Sequence, residues 1–108
     1  MSGSGQRIYL SGPISDNPNF RRMFREAKAI LESQGYTDIV NPAELCEVIP
    51  NNYDYDRIMD LCMNMLAESD VLILLPGWRK SHGCGREYGF AQASDLIIME
   101  FEDFVNGR

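Results

Sequence analysis

Long apolar runs, paired cysteines, histidine and excess positive charge are all scarce in this sequence, and each scarcity excludes something. The longest uninterrupted apolar run, Val71 to Leu75, is far shorter than the roughly 20 residues that cross a bilayer. The N-terminus also lacks the basic region and apolar core of a secretory signal. A soluble, cytoplasmic protein is therefore expected, with no membrane partner. Three cysteines, Cys46, Cys62 and Cys84, are an odd number without CxxC or Cys/His spacing, so no disulfide framework and no zinc site is expected. Histidine occurs once, at His82 beside Ser81. Adjacent residues do not reach the geometry of a Ser-His-Asp relay, which argues against a serine hydrolase. Basic residues number 10 against 16 acidic ones, a net charge of -6, and that field repels polyanions such as duplex DNA or RNA. Small anionic ligands are not excluded, because a few backbone amides and one or two cations hold a phosphate.

What is present describes one globular unit. With 108 residues, a second independent core would leave each half too small to stabilise itself. The 44% hydrophobic and 24% charged content is that of an ordinary packed domain. Met1 to Gln6 is rich in Gly and Ser and reads as a flexible leader to a single domain over residues 7–108.

Strands and helices alternate along the chain. Arg7 to Ser11 is a short apolar strand stopped by Gly12-Pro13. Asn17 and Pro18 look like the cap and first residue of a helix to Gln34, apolar at Phe20, Met23, Phe24, Ala27, Ile30 and Leu31. Tyr36 to Val40 is a second strand closed by Asn41-Pro42, and Ala43 to Tyr55 suggests a loop with one helical turn. A helix over Asp56 to Glu68 leads to the strand Val71 to Leu75, whose continuous apolar character predicts burial on both faces. A loop over Pro76 to Gly85, a helix over Arg86 to Ala93, a strand over Leu96 to Met99 and a final helical turn complete the order. Such alternation predicts a doubly wound, flavodoxin- or Rossmann-like α/β fold: a parallel sheet of four to five strands with helices on both faces. Ligands of that architecture bind at the carboxyl ends of the strands. The loops to inspect are thus the one after the first strand and the one after Val71 to Leu75.

Glu87 is the sharpest anomaly, since it shares a helical face with Phe90, Ala91 and Ser94 that ought to be buried. On the first turn of its helix it would be kept ionised by the helix dipole, as a nucleophile in a cleft or simply as a solvated rim residue. The segment Ser81-His82-Gly83-Cys84-Gly85 could cradle a phosphate or be a plain turn. Asp60 sides with Asp56 and Asn64, away from the apolar stripe of its helix, so periodicity places it in solvent. Trp78 could stack on a base or cap the core. Cys84 has no evident base and reads as a buried thiol.

The segments IYLSGPIS (Ile8 to Ser15), MDLCMNMLAESDVLILLPGW (Met59 to Trp78) and SHGCGREYGFAQA (Ser81 to Ala93) together resemble the nucleoside 2-deoxyribosyltransferase superfamily, in particular its short members and the deoxynucleoside monophosphate glycosidases. The resemblance implies that Glu87 is the nucleophile, that Asp60 orients the substrate or handles the base's proton, and that Tyr9 belongs to the catalytic group. It further implies a substrate site of Ser11, Gly12, Pro13, Ile14, Ser15, Trp78, Ser81, Gly83 and Gly85, with Ser81 on phosphate. Ser15 stands where the glycosidases carry an arginine, which leaves phosphate neutralisation to Arg21, Arg22 or Arg79. The expected activity is cleavage or transfer of the N-glycosidic bond of a (deoxy)nucleoside or its 5'-monophosphate by a homo-oligomer needing no cofactor or metal. A nucleotide-binding module without turnover and a small interaction protein are the alternatives.

Overall fold

A computed structural model describes residues 6–14, 17–48 and 54–107; Ser15 and all of the expected leader except Gln6 lie outside them. Four strands, β1 (Ile8–Ser11), β2 (Ile39–Val40), β3 (Val71–Leu74) and β4 (Ile97–Glu100), form an all-parallel sheet in the order β2-β1-β3-β4. Around it pack α1 (Phe20–Ser33), α2 (Pro42–Val48), α3 (Tyr55–Ala67), α4 (His82–Ala93) and α5 (Phe101–Val105). The chain is a doubly wound parallel α/β domain, as the alternation of elements predicts.

Side-chain alternation in β1 and β3 explains why these strands read as unbroken apolar runs. Ile8, Leu10, Val71 and Ile73 enter one core with Phe24, Ala27 and Leu31 of α1. Tyr9, Leu72 and Leu74 enter a second core with Cys62 and Leu66 of α3 and Ala91 of α4. Each strand is thus covered twice, and fully burying a side chain such as Phe24 or Leu66 contributes roughly 1.5–3 kcal/mol. The direction in which successive strands are added to the sheet reverses at the β1/β3 boundary. Right-handed crossovers then require α1 on one face and α3 and α4 on the other, which is the division the two cores show. That boundary is the switch point at which ligands bind in open α/β sheets.

Several boundaries differ from expectation. Asn17 does not cap α1: its side-chain carbonyl accepts from the Asn19 amide at 3.2 Å and its amide donates to the Pro13 carbonyl at 3.0 Å, so an extra turn precedes Phe20. Strand β2 is only two residues long, because Tyr36 packs on Phe104 with ring centroids 5.1 Å apart instead of joining the sheet. Helix α2 occupies residues expected to be mostly loop; Asn41 Oδ1 accepts from the Ala43 amide at 3.0 Å and Pro42 opens the helix. Helix α4 begins at His82, four residues earlier than expected. The Ser81 hydroxyl accepts from the Cys84 amide at 3.3 Å, and this cap carries Gly83 and Gly85 into the helix. No helix among the described residues is long and apolar enough to cross a membrane.

Candidate active site

Strand period sets the first half of the site. Tyr9 and Ser11 are two residues apart on β1, so both side chains leave the sheet on the α3/α4 face, about 7 Å apart along the strand. Beyond Ser11 the chain turns away through Gly12, where close approach leaves no room for a side chain. A Cβ there would sit 3.0 Å from Leu75 Cβ and 3.2 Å from Met23 Cε.

Helix period sets the second half. Cys84, Glu87 and Ala91 are the buried residues of α4, at spacings of three and four that make one face. Ala91 packs in the apolar core, whereas Glu87, only 6% exposed, meets polar groups. The Tyr9 hydroxyl donates to Glu87 Oε2 at 2.5 Å and the Ser11 hydroxyl donates to Oε1 at 2.6 Å. Both carboxyl oxygens are therefore held by buried donors from β1.

Burial and hydrogen bonding pull the acidity of Glu87 in opposite directions. Loss of water raises its pKa, the Ser11 and Tyr9 hydroxyls lower it, and the net shift is upward. The helix dipole is a smaller influence than expected, because Glu87 lies on the second turn of α4 and the field fades within the first. Tyr9 is pushed far above the ordinary phenol range by burial and then by the adjacent Glu87 charge, so it remains a donor. Burial likewise raises the Cys84 thiol, against the opposing effect of the Ser11 and Ser81 hydroxyls.

Glu87 opens on a cavity of about 980 Å³ at the carboxyl ends of β1 and β3. Gly12, Pro13 and Ile14 line one wall, Ile58, Met59 and Cys62 of α3 another, and Gly77 with Lys80 to Cys84, Arg86 and Glu87 the third. The size is within the range of small-molecule sites. Apolar groups make up the α3 wall, while the α4 side carries Lys80, His82 and Arg86 with Glu87, the one acid lining the cavity among the described residues. Among the described residues no cluster of three or more His, Cys, Asp or Glu is placed to hold a metal ion.

The predicted residues divide into three groups. Glu87, Gly12, Pro13, Ile14, Ser81 and Gly83 share the cavity, with Tyr9 and Ser11 directly behind Glu87. Asp60, Trp78 and Gly85 do not line it, and Ser15 lies outside the described residues. Asp60 is exposed, because α3 turns Met59, Cys62 and Leu66 inward and position 60 falls between them. Trp78 packs on Tyr88 with ring centroids 5.0 Å apart, and Gly85 faces outward with nothing within 4 Å of a built Cβ. The cations also differ from those named above. Arg79 pairs with Glu100, Arg22 pairs with Glu26, and Arg21 lies over the Phe20 ring, whereas Lys80 and Arg86 reach the cavity. Lys80, His82, Arg86 and Met59 are the lining residues to which sequence reasoning gave no site role, although His82 falls in the Ser81 to Gly85 segment that it singled out. The Ser81 cap was the available signal for the first three, since it starts the helix early and brings them to the strand ends.

Residues 6–100 match the model of a family described as Domain of unknown function (DUF4406). No curated protein matches the chain.

Proposed function

The chain belongs to the DUF4406 family, and we propose that it cleaves or transfers the N-glycosidic bond of a (deoxy)nucleoside or its 5'-monophosphate, with Glu87 as the nucleophile. The observation that carries this reading is a buried carboxylate with both oxygens fixed by hydroxyl donors, facing a ligand-sized cavity at the sheet's switch point. A carboxylate held in this way is a fixed negative charge for the positive anomeric carbon that develops as a glycosidic bond breaks. Tyr9 and Ser11 prevent rotation of the group and keep one lone pair of each oxygen engaged. The remaining lone pairs are available for attack.

In the first step a Glu87 oxygen bonds to the anomeric carbon and the carbon–nitrogen bond breaks, its electron pair leaving with the base. In the second, water or another base displaces the sugar and restores the carboxylate. The apolar wall of Ile58 and Met59 suits the flat base, and the Lys80 and Arg86 side suits a phosphate. We further propose that the protein acts in the cytoplasm as a homo-oligomer.

The test is chromatography of incubations with each deoxynucleoside and deoxynucleoside monophosphate. Free base is expected with the natural chain, and at least about 1,000-fold less with Glu87→Ala or Glu87→Gln, in line with loss of a nucleophile. Denaturing mass spectrometry of a rapid acid quench should find the sugar on the peptide containing Glu87. Nucleotide binding without base release by the natural chain would favour a binding module, and absence of binding would leave only the fold.

A further inference from the structure

A departing purine or pyrimidine must gain a proton, and Asp60, the group expected to handle it, is exposed and outside the cavity wall. Resting on the glycosidic reading above, we propose that His82 is the catalytic acid that protonates the leaving base and then the base that activates water.

His82 opens α4, the helix that carries Glu87, and lines the same cavity. Tyr9 is wholly buried behind the carboxylate and its hydroxyl is committed to Glu87 Oε2, so it is not available at the base. Ser81 caps α4 through the Cys84 amide. Lys80 and Arg86 also line the cavity, and the reading above gives them to the phosphate. The wall formed by β1, α2 and α3 adds one titratable group among the described residues, the Cys62 thiol. An imidazole has the proton affinity suited to both directions of transfer near neutral pH.

As Glu87 bonds to the anomeric carbon, the glycosidic electron pair goes to the base nitrogen, which takes the proton of the His82 imidazolium. Neutral His82 next removes a proton from water while the water oxygen bonds to the anomeric carbon and the Glu87 ester bond breaks. Carboxylate and imidazolium are both restored, with no oxidant, reductant or further reactant.

The deciding experiment compares the natural chain with His82→Gln and His82→Ala on two substrates. One is the deoxynucleoside or monophosphate from which base is released most readily. The other is a deoxyribosyl compound whose leaving group, 4-nitrophenolate, departs stably as an anion. With the natural base both variants should lose about 100-fold or more in kcat, the usual worth of a general acid. With 4-nitrophenolate the loss in the bond-breaking step, read from the burst of released product, should be under about threefold. The alkaline limb of kcat/KM should disappear in both variants, and added imidazole should restore part of the His82→Ala rate. Equal losses on both substrates, or variants within about threefold of the natural chain on both, would overturn the role of His82 while leaving Glu87 chemistry intact. Release from neither substrate by the natural chain would remove the glycosidic reading and this inference together.

Discussion

Glu87 has to be buried and ionised at once, and the two demands have opposite thermodynamic signs. Burial raises its pKa in the folded chain above the unfolded value, near 4.3. The folded protein therefore binds this proton more tightly than the unfolded one. Stability contributed by the group is fully present below the unfolded value and is lost as pH rises through the folded one. Glu87→Gln keeps the shape without the charge, so its melting temperature should exceed that of the natural chain at pH 7. The advantage should shrink to nothing below about pH 4; a difference that is flat with pH would mean that Glu87 carries no desolvation cost. Tyr9→Phe tests the opposing influence. A hydrogen bond to a charged group is worth about 1.5–3 kcal/mol, and each pKa unit corresponds to roughly 1.4 kcal/mol. Removing the Tyr9 donor should therefore move the acidic limb of kcat/KM upward by about one to two units, and an unmoved limb would show that Glu87 ionisation does not depend on Tyr9.

At the scale of elements, the same residue type has opposite effects in different places. Gly12 stops β1 where a Cβ would meet Leu75 and Met23 at 3.0–3.2 Å, and Gly12→Ala should cost about 1–3 kcal/mol through overpacking. Gly89 is inside α4, with nothing within 4 Å of a built Cβ. Gly89→Ala should therefore stabilise by about 0.5–1 kcal/mol. Chemical denaturation of the two variants reads both signs, and equal signs would contradict the contrast. Glycine also makes α4 only partly legible in the sequence. Glycine-rich composition points to a loop, but the Ser81 cap and the packing of Cys84, Glu87 and Ala91 against the sheet outweigh the poor helix propensity of Gly83 and Gly85. Strands β1 and β3 were legible because burial on both faces writes an unbroken apolar run, and α3 because its stripe recurs at helical spacing. Helix α2 is too short for a periodic pattern, and its Asn41-Pro42 start doubles as a strand stop. Glu87 was legible as a carboxylate on a face that packs inward and Ser11 as part of the loop ending the first strand, whereas Tyr9 came only from the family resemblance. Lys80, His82 and Arg86 were marked only by the Ser81 cap beside them, since they meet Glu87 in one cavity only once α4 is set against the end of β3.

For the whole molecule, the distribution of charge decides what kind of ligand fits. The chain carries a net charge of -6, so its long-range field opposes anions, yet among the described residues Lys80, His82 and Arg86 line the cavity with one acid, Glu87. The short-range field is thus reversed where the substrate would lie. Beyond about 10 Å at 0.1 M salt the global repulsion is largely screened, whereas a lysine in contact with a phosphate retains a charge-assisted hydrogen bond worth about 1.5–3 kcal/mol. The local interaction wins. With Glu87→Gln in place to block turnover, adding Lys80→Gln should weaken calorimetric binding of the preferred monophosphate by about tenfold or more, since roughly 1.4 kcal/mol is one decade in Kd. Binding of the matching nucleoside should be unchanged, because it carries no phosphate for Lys80 to hold. Equal weakening of both would mean that Lys80 supports the shape of the cavity and does not read a phosphate.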